Sequence, residues 1–200
     1  MPGLHSPLGA SALHVVIDMQ VLFDNHPDWG CPDLRHILPT IERLTQARPG
    51  RTICTRFVPA KDAASAAGCW QRYYRHWHSA TLEQAGEAAV ELVPELAALP
   101  LAGIVDKAGY SAYSSPDFAP LLDRLGADTL ILSGVETDVC VWATALSAID
   151  DGRRVIIARD AVASGNRATH EATLRIAADR FDLQIELATV DEILAAWRIS

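Results

Sequence analysis

A cysteine, a lysine and an aspartate, each standing where an apolar run gives way to polar residues, carry the clearest chemical potential in this chain. Cys140 lies in Ser133-Gly134-Val135-Glu136-Thr137-Asp138-Val139-Cys140, where a strand-like segment passes through glycine and a short polar turn into a helix. In the first turn of a helix the unpaired amides and the positive end of the helix dipole favour a thiolate and can hold an oxyanion. Alone, such a cysteine reads equally well as an inert buried thiol. Lys107 follows Ile104-Val105-Asp106 and Asp18 follows Val15-Val16-Ile17, and each alone is an ordinary strand end. Together they supply a nucleophile, a carboxylate that can carry its proton and a fixed cation, which make a complete acyl-transfer site. A lysine about 4 Å from the sulfur, at an effective dielectric near 20, favours the thiolate by about 4 kcal/mol, and a carboxylate at similar range opposes it equally. The sequence therefore predicts a proton shared between Cys140 and Asp18, with Lys107 keeping the site ionised.

These residues need a scaffold that brings strand ends together, and the hydrophobic pattern provides one. Short β-branched runs alternate with helical patterns throughout, the signature of a parallel sheet covered on both faces, so the fold class is α/β in three layers. Strands are predicted at Leu13 to Ile17, Thr52 to Phe57, Gly103 to Val105, Thr129 to Leu132, Val155 to Ala158 and Gln184 to Leu187. Helices are predicted at about Asp33 to Arg48, Pro116 to Leu125, Thr137 to Asp151, Asn166 to Arg180 and Val190 to Trp197. Pro39 fits a first turn best, so the regular part of its helix is expected to begin near Ile37. In such a sheet ligands bind outside the carboxyl ends of the strands, which here carry Asp18, Arg56, Asp106, Lys107, Gly134 to Cys140, and Asp160.

Composition narrows the function classes. With 200 residues, 50% of them hydrophobic, the chain has ample material for one core, and residues 13–200 read as a single domain after a frayed segment over residues 1–12. The net charge of −8 opposes binding to nucleic acid or anionic lipid. No apolar run approaches the about 20 residues of a membrane span, and the start lacks the features of an export signal, so a cytoplasmic location is expected. The four cysteines show no metal or redox spacing. No nucleotide motif is present, and no cofactor is expected.

Three ordered motifs add a resemblance. Asp18, Gln20 and Phe23; Lys107, Ser111, Ala112 and Tyr113; and Gly134, Thr137, Cys140, Val141, Thr144 and Ala145 resemble the isochorismatase-like cysteine hydrolases, from about Leu13 to Trp197. The resemblance implies a six-stranded parallel sheet in the order 3-2-1-4-5-6 and a triad of Asp18, Lys107 and Cys140. It further implies a cis peptide from Val135 to Glu136 that aims the amides of Glu136 and Cys140 at one oxyanion. A homo-oligomer, dimer or tetramer, acting on a small molecule is expected. Nicotinamidase-like members carry an Asp-x-His metal motif after strand two; here that place reads Thr55-Arg56-Phe57-Val58-Pro59, so no metal is expected. Members acting on isochorismate itself lack the cysteine, so Cys140 argues for amide hydrolysis of a small carboxamide, carbamoyl or ureido compound through a thioester. The alternatives are a nicotinamidase-type deamidase and a non-catalytic binding protein that retains the fold. Glu136 departs from the small residue or threonine frequent at its position, which leaves the role of its side chain open. Candidate pocket residues are Gln20, Phe23, Arg56, Tyr113 and, from the helical stripe Trp70, Tyr73, Tyr74 and Trp77, the rings of Trp70, Tyr74 and Trp77. That stripe reads first as packing against the body or a second subunit, with one or two rings closing over the substrate as the sharper reading, and Arg56 reads equally as half of an ion pair.

Overall fold

The computed structural model describes residues 3–197. Its centre is a six-stranded, all-parallel sheet in the order β3-β2-β1-β4-β5-β6, the topology the resemblance implies. The strands are β1 (Ala12–Ile17), β2 (Thr52–Phe57), β3 (Gly103–Lys107), β4 (Thr129–Val135), β5 (Arg154–Ala163) and β6 (Ile185–Ala188). Nine α-helices are described, α1 (Val21–Asn25), α2 (Leu34–Ala47), α3 (Cys69–His76), α4 (Leu82–Ala85), α5 (Pro94–Ala97), α6 (Phe118–Arg124), α7 (Trp142–Asp150), α8 (Arg167–Arg180) and α9 (Val190–Ala196).

Alternation along β1 shows how the layers form. Leu13, Val15 and Ile17 join one core with residues of α6, α7 and α8, whereas Ala12 and Val16 join a second core with α2 and α9. All six β1 residues are buried, as a central strand covered on both faces requires.

Three local expectations are corrected. Helix α2 begins at Leu34 and runs through Pro39. Burying Leu34, Ile37, Leu38, Ile41 and Leu44 along one stripe contributes about 1.5–3 kcal/mol each, which outweighs the about 3 kcal/mol cost of a proline whose ring faces solvent. Within the segment expected to fray, residues 1–2 lie outside the described residues, and beyond them the chain is docked: Leu8 is 2% exposed and bridges Trp197, the His5 amide donates to Glu186 at 2.7 Å, and Arg154 donates to the Ser6 carbonyl at 2.9 Å. Strand β5 runs past Ala158 because a register shift against β4 lets Val162 and Ala163 pair with Gly134 and Val135. Asp160 thus lies within β5 and accepts a hydrogen bond from the Val190 amide at 2.9 Å, at the start of α9.

Candidate active site

Strand order brings the chemistry-bearing residues together. β1 lies between β2 and β4, and strand order reverses across the β1/β4 pair, which opens a crevice at their carboxyl ends. Asp18 follows β1 with a positive φ of 49°, a left-handed conformation that aspartate tolerates better than most residues. Lys107 ends β3. Cys140 sits in a π-helical turn over Thr137–Val141 that links β4 to α7. Gly134 makes the junction feasible: its φ is +99°, and a Cβ there would stand 2.1 Å from the Ile17 carbonyl oxygen.

Asp18, Lys107 and Cys140 meet at the floor of this crevice, exposed by only 0%, 2% and 6%. Asp18 Oδ1 accepts a hydrogen bond from Thr55 Oγ1 at 2.6 Å. Its Oδ2 lies 2.7 Å from Lys107 Nζ as an ion pair and receives no aligned hydrogen bond, and the ammonium also donates to the Gly109 carbonyl at 3.0 Å. The Cys140 thiol lies close enough to both Asp18 and Lys107 for their charges to act on it. Burial, reinforced by the Asp18 charge and only partly offset by Lys107, pushes the thiol well above the usual range. Burial acts to lower the Lys107 ammonium, but the neighbouring Asp18 outweighs it, with Cys140 adding in the same direction, and the group is held above its ordinary value. The sequence-level charge balance omitted desolvation. With it included, the balance at the sulfur moves toward the protonated form.

A cavity of about 480 Å³ opens above Cys140. Its wall is aromatic, formed by Phe23, Trp29, Phe57, Tyr73, Trp77 and Tyr110, with Glu136, Asp28 and Asn166 supplying polar groups. Trp29 is the hub of the wall, with its ring centroid 5.7 Å from Tyr73, 6.0 Å from Phe57 and 6.2 Å from Phe23. The peptide between Val135 and Glu136 is cis.

Of the pocket residues predicted from sequence, Phe23 and Trp77 line this cavity and the others do not. Gln20 is buried in a backbone clamp: its Nε2 donates to the carbonyls of Phe57 at 3.0 Å and Val90 at 2.8 Å, and its Oε1 accepts from the Phe57 amide at 2.7 Å. Arg56 forms ion pairs with Asp106, its register partner on β3, and with Glu91. Trp70 packs on Tyr110 at 4.9 Å, and Tyr74 is buried at 2% exposure. Tyr113 turns away to donate to Asp151 at 3.1 Å and pack on Phe118. The turn that carries it is held down by the Ala112 amide, which donates to Thr144 Oγ1 at 2.9 Å, and by Ser111, which donates to Ser147. The serine, alanine and threonine of the sequence motifs therefore fasten the β3 loop to α7. Trp29, Phe57, Tyr73 and Tyr110 were missed as lining residues; only Tyr73 carried a signal, as a member of the helical stripe.

Among the described residues no group of three or more His, Cys, Asp or Glu side chains is placed to hold a metal ion. Asp24, in α1, pairs with Arg35, while in the loop that follows His26 accepts from the Asp28 and Trp29 amides and also contacts the Ser79 carbonyl, and Asp28 accepts from the Ser79 hydroxyl. No described helix is long and apolar enough to cross a membrane.

A parallel doubly wound sheet with a buried cysteine, carboxylate and ammonium at its switch point defines a narrow class of α/β protein. Residues 12–189 match the family model described as Isochorismatase domain, and the chain belongs to the isochorismatase family. It is 38% identical over 80 residues to maleamate amidohydrolase of Pseudomonas putida, covering 39% of this chain and 38% of that protein. It is also 38% identical over 71 residues to nicotinamidase 3 of Arabidopsis thaliana, covering 36% of each. The matched stretches thus span well under half the length of these two relatives. A cysteine hydrolase structure from Pseudomonas syringae pv. phaseolicola superposes with a TM-score of 0.81 at 23% identity, over 98% of this chain and 97% of that one. An isochorismatase-like hydrolase from Alkaliphilus metalliredigens gives 0.75 at 25% identity, over 94% and 99%.

Proposed function

We propose that the protein is a cysteine amidohydrolase that cleaves a small carboxamide, carbamoyl or ureido compound through a thioester on Cys140. The observation that carries this reading is the placement of the Cys140 thiol, at the floor of an aromatic cavity, beside a buried Asp18–Lys107 ion pair. The raised thiol makes Asp18 a general base acting during attack rather than a group that holds a preformed thiolate. Asp18 takes the proton as Cys140 Sγ bonds to the carbonyl carbon, and the amides of Glu136 and Cys140 receive the oxyanion. Collapse breaks the C–N bond, and the leaving nitrogen takes the proton back from Asp18. Water then attacks the thioester and gives a proton to Asp18, and the departing sulfur recovers it as the acid is released. Lys107 holds the local charge balance throughout, since the carboxylate would otherwise be buried without a counter-charge.

Similarity to an amidohydrolase and a nicotinamidase supports the amide over the vinyl ether as the bond cleaved. The test is a panel of small amides and ureas scored for ammonia release, with intact-mass detection of an acyl adduct on Cys140. Turnover with an adduct that disappears in Cys140→Ala is expected. Absence of both across the panel would overturn the proposal in favour of a binding protein. A dimer or tetramer in the cytoplasm is part of the same reading, checked by light scattering and cell fractionation.

A further inference from the structure

Glu136 is the unusual group in the cavity. It directly follows β4, lines the space above Cys140 and is half-buried. Its Oε1 accepts a hydrogen bond from the Gly165 amide at 2.7 Å, which fixes the carboxylate against the wall, while no bond to Oε2 is made by any described residue. Asp28 stands exposed at the rim, its Oδ2 accepting from Ser79 Oγ at 2.5 Å. No lysine, arginine or histidine is among the described lining residues. Below the floor, Lys107 is matched by Asp18, and the nearby Arg167 is paired with Glu171 at the surface. The cavity therefore carries two carboxylates without a counter-cation of their own, beside π-faces of Trp29, Tyr73 and Trp77.

Such a site repels an anionic substrate and favours a cation, which gains charge attraction and ring-face contact together. We infer that Glu136 determines specificity, selecting small amides whose acyl part bears a positive charge such as an alkylammonium group. This rests on the amidohydrolase reading of the same site and deepens it. The ammonium would sit between the Glu136 carboxylate and the aromatic wall, with the carbonyl over Cys140. Burial raises the Glu136 pKa, with Asp138 adding to the shift and the Gly165 amide opposing it; an arriving cation favours the ionised form.

Three probes of similar size separate the cases: betaine amide, which is cationic; 3,3-dimethylbutanamide, its neutral isostere; and malonamate, which is anionic. Binding is read first, from tryptophan fluorescence, since Trp29 and Trp77 line the cavity, and turnover second, from ammonia release. The wild type is expected to bind the cation at least about tenfold more tightly than the neutral isostere, and malonamate weakest. Glu136→Gln keeps an acceptor for Gly165 while removing the charge. It is expected to lower the cation-to-neutral ratio about tenfold or more in binding, and in kcat/KM where turnover is seen, whatever happens to absolute rates. A wild-type preference for the neutral or anionic probe, or an unchanged ratio in Glu136→Gln, would overturn the inference. Binding in the expected order with no ammonia release and no Cys140 adduct would instead overturn the amidohydrolase reading alone.

Discussion

Two buried polar clusters sit on the same central strand, and they have opposite characters. Within the sheet, His14 is fully buried, its Nε2 2.7 Å from Ser133 Oγ and its Nδ1 3.3 Å from both Thr52 Oγ1 and Thr45 Oγ1. Burial drives its pKa down to about 3, so the ring is neutral and each nitrogen meets a neutral hydroxyl. At the strand's carboxyl end the second cluster contains a full ion pair, a carboxylate oxygen without an aligned donor, a thiol and an open cavity. A buried polar group alone does not mark a site. What distinguishes the second cluster is an unmet valence and access for a ligand, whereas the first is closed and serves to tie β1, β2, β4 and α2 together.

Removing the nucleophile should have the largest effect. On the proposed reading, Cys140→Ala lowers ammonia release by about 10⁴-fold or more while the melting temperature, followed by circular dichroism, moves by less than about 4 °C. Full activity in that variant would place the chemistry elsewhere. Next comes Lys107→Met, which strands the Asp18 carboxylate in the core and should cost about 3–5 kcal/mol in urea unfolding. Adding Asp18→Asn should restore most of that loss, and no loss in the single variant would contradict a buried ion pair.

The closed cluster is tested by pH. The folded pKa of His14 lies near 3 and its unfolded value near about 6.5, so between these the unfolded chain binds the extra proton. Stability is full above about pH 6.5 and falls toward pH 3 by up to about 1.4 kcal/mol per unit from this group. His14→Gln should flatten that limb in urea titrations at pH 4 to 7 and leave kcat at pH 8 unchanged. The smallest effect concerns Cys54, a buried thiol with no ion pair, pushed up to about 12 by burial. Its unfolded pKa is about 8.5, so its stabilising contribution is present below that pH and is lost as pH rises toward 12. At pH 9.5 the wild type should have lost about 1.4 kcal/mol on this account, and Cys54→Ala should show a correspondingly shallower alkaline slope.

The periodicities made the sheet legible because a doubly covered strand such as β1 must be apolar along its whole length. The cluster of Asp18, Lys107 and Cys140 was legible because these residues stand where such strands end. Specific side-chain destinations were not. The helical spacing joins Trp70, Tyr73, Tyr74 and Trp77 in one stripe, yet α3 ends at His76 with Trp77 as its cap, and Tyr73 and Trp77 line the cavity while Tyr74 is buried. Arg56 was decided by register, which places Asp106 directly beside it on β3. Trp29 lies in an irregular loop that carries no period at all. Desolvation at Cys140 depends on how tightly three distant segments close around the sulfur, which local sequence does not encode.

The sheet order also orders assembly in time. Ile17 pairs with Gly134 across more than half of the chain, whereas its neighbour β2 is reached soon after β1. A chain emerging from synthesis can pair β1, β2 and β3 and bring Asp18 beside Lys107 while one edge of β1 is still uncovered. Such an apolar edge invites pairing with other chains, and long-range strand pairing is slow to close it. β4 and the cysteine that follows it arrive together, so the step that shields the open edge of β1 is also the step that brings Cys140 to Asp18 and Lys107.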